Sequence, residues 1–187
     1  MRTILQVEDD PNDVFLFQHA LKRSGLPNPI QVASDGQEAI DYLQGAGKFA
    51  DRGRFPFPNL VLLDLKLPYV MGLDVLRWIR EQPWAALPVV MLTASAEEAD
   101  IAAAYRLGAN AFLTKPSEAG KLEDMVKAIK QFWLTYNTLP QKCSQEPPRE
   151  RVVSLFDSST RDFAAKRRPP VNGVRGEQWP HKMEAKL

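Results

Sequence analysis

The chain has 187 residues and a formal net charge of +1, with 24 Lys or Arg against 23 Asp or Glu. That is room for one domain and an extension, and the even balance excludes a protein that holds nucleic acid or membrane through bulk charge. Cys143 is the only cysteine, so an intrachain disulfide is excluded and a reducing compartment fits. No apolar run is long enough to span a bilayer and the N-terminus lacks a signal-peptide pattern, so a cytoplasmic location is expected.

Four apolar runs each end in a chemically useful residue. Ile4-Leu5-Gln6-Val7 leads into Glu8-Asp9-Asp10. Pro11-Asn12-Asp13 can then open a helix carrying Val14, Phe17 and Leu21 at helical spacing, with Ser24-Gly25 as its stop. Residues 29–33 read as a second strand, Asp35-Gly36 as a turn, and Ala39, Ile40 and Leu43 as the face of a second helix. Residues 45–59, rich in Gly, Pro and charge, read as a long loop. Leu60-Val61-Leu62-Leu63 runs into Asp64, and residues 72–81 form the third helix, closed by Pro83. Val89-Val90-Met91-Leu92 runs into Thr93, and residues 96–107 form the fourth helix, with Gly108 just past its end. Ala111-Phe112-Leu113-Thr114 runs into Lys115-Pro116. In the last helix Leu122, Met125, Val126, Ile129, Phe132, Trp133 and Tyr136 fall on one apolar stripe.

Strands alternating with helices give right-handed crossovers, hence an α/β fold with a parallel sheet. Buried parallel strands read as continuous apolar runs, and ligands gather at their carboxyl ends. Acids, a hydroxyl and a lysine would therefore converge on one edge. From about residue 140 the composition changes: residues 141–187 hold ten Lys or Arg and six Asp or Glu, leaving a net charge near −3 on the remainder. That segment, with Pro147-Pro148 and Pro169-Pro170, is expected to be a disordered tail.

The converging residues suit phosphoryl transfer to a carboxylate. Phosphoryl oxygens and several carboxylates repel one another, and a hard divalent cation such as Mg²⁺, bound by oxygen ligands, relieves this. Asp9 and Asp64 could hold the ion directly, with Glu8 reaching it directly or through water. Lys115 can neutralise the remaining charge, and Thr93 can hydrogen-bond a phosphoryl oxygen. Chemistry of this kind is mostly positioning and electrostatics.

Val7-Glu8-Asp9-Asp10, Leu62 to Pro68 with Gly72, Leu92-Thr93-Ala94, and Gly108 to Pro116 together resemble the receiver domain of two-component response regulators. Order, spacing and strand context match over about residues 1–138. The resemblance implies a flavodoxin-like, doubly wound five-stranded parallel sheet in a receiver domain over residues 1–139, followed by the tail at 140–187. It implies Asp64 as phosphoacceptor for a histidine kinase or phosphotransfer protein, and Glu8 and Asp9 as the acid pair, with Asp10 just outside it. The backbone carbonyl of Lys66 would complete the metal site, and Thr93 and Lys115 would hold the phosphoryl group. Phe112 would be the aromatic switch, and the Lys115–Pro116 bond is expected to be cis. The long loop with Gly47-Lys48-Phe49, and the last helix with Phe132-Trp133 and Asn137, resemble the single-domain subgroup that includes the cyanobacterial-phytochrome response regulator. This implies a phytochrome-type kinase partner and a homodimer through the fourth helix, fifth strand and last helix, with Ile101, Tyr105, Phe132 and Trp133 as apolar anchors.

The competing readings are an Mg²⁺-dependent aspartyl-phosphate phosphohydrolase and a nucleic-acid binder acting through the basic tail. The phosphohydrolases of the haloacid dehalogenase type carry a second acid two residues after the nucleophile, where this chain has Lys66. The tail is short and poor in apolar periodicity for a helix-turn-helix module. The leading expectation is a signalling switch without an output enzyme.

Overall fold

Five apolar segments pair side by side in parallel: β1 (Ile4–Val7), β2 (Ile30–Ala33), β3 (Leu60–Leu63), β4 (Val89–Thr93) and β5 (Ala111–Thr114). Their order, β2-β1-β3-β4-β5, is the expected flavodoxin-like winding. The helices are α1 (Pro11–Arg23), α2 (Gly36–Gln44), α3 (Gly72–Arg80), α4 (Glu98–Arg106) and α5 (Ala119–Ile129). The computed structural model describes residues 2–25 and 28–140. The expected disordered tail, beyond Pro140, lies outside the described residues.

The three inner strands β1, β3 and β4 are buried along their whole length, which explains why they are apolar apart from Gln6 in β1 and the terminal Thr93 of β4. One face of the sheet carries Ile4, Leu60, Leu62, Val90 and Leu92 against Phe17 and Leu21 of α1 and Val126 and Ile129 of α5. The other carries Leu5, Val7, Val61, Leu63, Val89 and Met91 against Leu43, Val75, Leu76, Ile79 and Ala104 of α2, α3 and α4. After β1 the chain turns to β2 on one side, while β3 starts the run to β5 on the other. A crevice opens at such a reversal, beyond the carboxyl ends of the two strands. Glu8-Asp9 and Asp64 stand there.

The loop from Asp64 to α3 is pinned by two glycines. A Cβ at Gly72 would lie 2.0 Å from the carbonyl oxygen of Asp64, and one at Gly36 would lie 2.1 Å from that of Val70. Between these contacts Tyr69 takes a left-handed φ of 64° and is 91% exposed. Gly72→Ala is expected to push the Asp64 loop aside and to destabilise the fold by about 1–3 kcal/mol. Denaturant unfolding would read the loss, and an unchanged midpoint would show that the loop gives way freely.

Three segments depart from the sequence reading. α4 begins at Glu98 rather than residue 96, because Ser95 N–H bonds back to Thr93 Oγ1 at 3.3 Å and keeps the approach non-helical. The last helix changes to π geometry over Lys130–Tyr136, with an i→i+5 bond from Asn137 N–H to Phe132 O. Wider turns rotate a 3.6-residue stripe off the core. Trp133 and Leu134 pack inward, whereas Phe132 and Tyr136 turn to solvent. Lys115–Pro116 is trans, like every described peptide bond, against the expected cis form. The two X–Pro isomers differ by only about 0.5–1 kcal/mol, so the dipeptide itself does not fix which one is adopted.

Candidate functional site

β1 delivers Glu8 and Asp9 to the crevice, β3 delivers Asp64 and β5 delivers Lys115. The fourth contributor is Asp13, in the first turn of α1. Asp10 caps that helix, accepting from Asn12 N–H at 2.8 Å, so it serves α1 and leaves Asp13 facing the site.

Lys115 Nζ is the hub. It donates to Glu8 Oε2 at 2.5 Å, to Asp13 Oδ2 at 2.8 Å and to Asp64 Oδ2 at 2.8 Å. An ammonium has three N–H donors, and all three end on carboxylates. The other oxygen of Asp64 accepts from the backbone N–H of Leu65 at 2.5 Å and of Lys66 at 3.3 Å. Glu8 and Asp64 are buried, while Asp9 is exposed. Burial would lower the Lys115 pKa, but the hydrogen bonds to Asp13, Asp64 and Glu8 outweigh it and raise it. Glu8 goes the other way from a normal acid: desolvation pushes it from 4.5 up to about 7, against the opposing pull of Lys115.

Ligand oxygens of Glu8, Asp9 and Asp64 lie within 4.8 Å of one another. Four carboxylates and one ammonium leave a net negative centre, and its donors are all hard oxygens. Asp9 provides a solvent-facing side. That donor set fits a divalent cation such as Mg²⁺ or Mn²⁺.

Because Glu8 binds a proton more tightly folded than unfolded, the metal-free fold loses stability as pH rises from about 4.5 toward 7. A cation needs the ionised carboxylate, so the same proton competes with it. Mg²⁺ is expected to bind about tenfold more weakly at pH 6 than at pH 8. Calorimetric titration checks this, with Glu8→Gln flattening the dependence. Equal affinity at both pH values in wild type would contradict it.

The remaining sequence-derived residues lie around this centre without all touching it. Thr93, 1% exposed, ends β4 opposite Thr114 of the edge strand β5, and its hydroxyl accepts from Ser95 N–H rather than meeting a carboxylate. Lys66 turns its side chain to solvent while its N–H serves Asp64. Phe112 pairs with Met91 across β4 and β5 and packs half-buried into the core on the α4 side. Ile101 is half-buried, and Tyr105 and Phe132 are more than half exposed. Trp133 packs on the α1–α5 core, with its ring edge-on to Phe132 at 4.8 Å. Asp13 was missed from sequence because an acid in a helix's first turn is already explained by the helix dipole.

A flavodoxin-like sheet with acids after β1 and β3, a hydroxyl at the end of β4 and a lysine after β5 defines a receiver domain. The family profile described as "Response regulator receiver domain" matches residues 4–127, and the chain belongs to that family. Response regulator Rcp1 of Synechocystis sp. is 41% identical over 140 residues, covering 74% of this chain and 93% of that one. The crystal structure of the Mn(2+)-bound form of Rcp1 aligns with a TM-score of 0.67 at 40% identity, covering 75% of this chain and 99% of the other. The phosphorylated cyanobacterial phytochrome response regulator RcpA aligns with a TM-score of 0.68 at 40% identity, covering 74% and 98%. The protein is thus similar to phytochrome-associated members of the two-component response regulators.

Proposed function

We propose that this protein is a phosphorylation-controlled switch whose Asp64 accepts a phosphoryl group from the phosphohistidine of a sensor histidine kinase or phosphotransfer protein. The observation that carries the reading is the single ammonium of Lys115 shared by Glu8, Asp13 and Asp64. A carboxylate oxygen of Asp64 attacks phosphorus, the P–N bond to the donor imidazole breaks, and the imidazole leaves neutral after taking a proton. Lys115 holds Asp64 in place beforehand and offers its N–H groups to the phosphoryl oxygens afterwards. Thr93 gives up its bond to Ser95 to donate its hydroxyl, and Phe112 then turns inward behind it. The carboxylates of Glu8, Asp9 and Asp64 and the carbonyl of Lys66 would hold Mg²⁺, which offsets the charge of the phosphoryl oxygens. Rcp1 with Mn(2+) and RcpA in phosphorylated form are relatives that support the assignment.

The kinase partner is of phytochrome type in this reading, on the likeness to RcpA. The output is protein contact in the cytoplasm rather than catalysis. No helix among the described residues is long and apolar enough to cross a membrane. The α4–β5–α5 face, with Ile101, Tyr105, Phe132 and Trp133, is the surface for a second copy, since exposed aromatics concentrate interface energy. The whole reading is tested by incubating the protein with acetyl phosphate and Mg²⁺. Intact-mass measurement should show one added phosphoryl group, lost on chelation before the reaction. Sedimentation with beryllofluoride should shift to dimer and stay monomeric in Tyr105→Glu. Absence of any phosphoryl adduct would overturn the proposal.

A further inference from the structure

Of the three carboxylates on Lys115, Asp13 alone comes from a helix. It sits in the first turn of α1, three residues after the capping Asp10. An acid at that place can reach back to the N–H of the capping residue. Here that N–H goes to Glu8 Oε1 at 3.4 Å, and Asp13 Oδ2 accepts from Lys115 Nζ at 2.8 Å instead. The start of α1 thus lends its acid to a lysine at the far end of the sheet. The three partners also differ in their access to water. The side chain of Asp13 is 37% exposed, against 3% for Glu8 and 9% for Asp64.

We propose that Asp13 is a positioning residue for Lys115, the exchangeable partner that gives up its N–H as a phosphoryl group approaches Asp64. The inference rests on the phosphoacceptor reading of Asp64. An ammonium has three N–H donors, and Glu8, Asp13 and Asp64 take all three. A phosphoryl oxygen therefore gains one only by displacing a carboxylate. Displacing Glu8 or the still-charged Asp64 would leave an unpaired charge in the interior, which is costly. Displacing Asp13 returns a carboxylate to water, and a part-exposed ion pair is worth little. Asp13 thus holds the ammonium in the unphosphorylated protein and competes with the arriving group for one N–H. Its negative charge also opposes the phosphoryl oxygens directly. Both effects set how readily the site is occupied.

Asp13→Asn keeps the shape and removes the charge, and Asp13→Ala removes the acceptor altogether should the first variant fold poorly. Both are compared with wild type at saturating Mg²⁺ for beryllofluoride affinity, by calorimetric titration, and for the initial rate of labelling by acetyl phosphate. Affinity and rate are each expected to rise about three- to fivefold, the factor a part-exposed ion pair carries. Loosened packing would lower both, so a gain marks competition for the ammonium rather than a structural role. The Nζ protons of Lys115, followed by NMR without any phosphoryl donor, should exchange faster in Asp13→Ala. Affinity and rate that both stay level or fall in the folded variants would overturn the proposal and leave Asp13 a helix-terminal acid. A wild type that binds no beryllofluoride and takes up no phosphoryl group would instead defeat the reading of Asp64. The Lys115 proton exchange would still decide whether Asp13 holds the lysine, and an unchanged exchange in Asp13→Ala would overturn this proposal too.

Discussion

Lys115→Ala is expected to cost the metal-free protein about 3–5 kcal/mol of stability at pH 8, the usual penalty for removing one partner from a buried ionic group. The side chains of Glu8 and Asp64 are only 3% and 9% exposed, and with Asp13 they share this one cation. Without it, Glu8 faces Asp64 and Asp13 with nothing between them. The loss should shrink toward pH 5, because Glu8 then takes up a proton, its pKa already standing near 7 in the presence of the lysine. Saturating Mg²⁺ should recover part of the loss by supplying positive charge to the same carboxylates. Urea unfolding at the two pH values, with and without Mg²⁺, separates these effects. A loss below about 1 kcal/mol at pH 8 would mean that the cluster behaves as a screened surface pair. In the phosphorylated state the same variant should keep a reactive Asp64 yet fail to relay the change to Phe112 and α4.

Asp64→Asn is expected to abolish phosphorylation, by more than about 10²-fold, because an amide oxygen is not a nucleophile of comparable strength to a carboxylate. The fold should survive. The amide carbonyl can still accept from Leu65 and Lys66 N–H, which hold the native carboxylate. Mg²⁺ affinity should drop as well, since one of three converging carboxylates is lost. Acetyl-phosphate labelling followed by intact-mass measurement checks the first effect, and calorimetric titration the second. Full labelling of Asp64→Asn would remove Asp64 from the chemistry.

The strands and their terminal residues were legible because burial on both faces leaves an unbroken apolar run that stops where the crevice begins. Leu60 to Leu63 ends at Asp64, and Val89 to Leu92 at Thr93, for that reason. The alternation with helices and the handedness of crossovers pointed to a parallel sheet, while its five-stranded flavodoxin-like winding was what the resemblance to receiver domains implied. Features that depend on contacts across the crevice were not legible. Nothing local distinguishes Asp13, which binds Lys115, from Asp10, which merely caps α1. The π turn at Lys130–Tyr136 leaves the composition of the stripe intact while rotating Phe132 away from the core. Lys115–Pro116 shows the same limit, since the intrinsic preference between X–Pro isomers is too small to read from the dipeptide.

The most direct test of the central claim is to locate the phosphoryl group. Full-length protein is incubated with acetyl phosphate and Mg²⁺, reduced with borohydride to trap acyl phosphates, digested and sequenced by mass spectrometry. The expected result is a single modified residue, Asp64, that disappears when Mg²⁺ is chelated beforehand. Modification at Asp9 or Asp13 instead, or none at all with Mg²⁺ present, would contradict it.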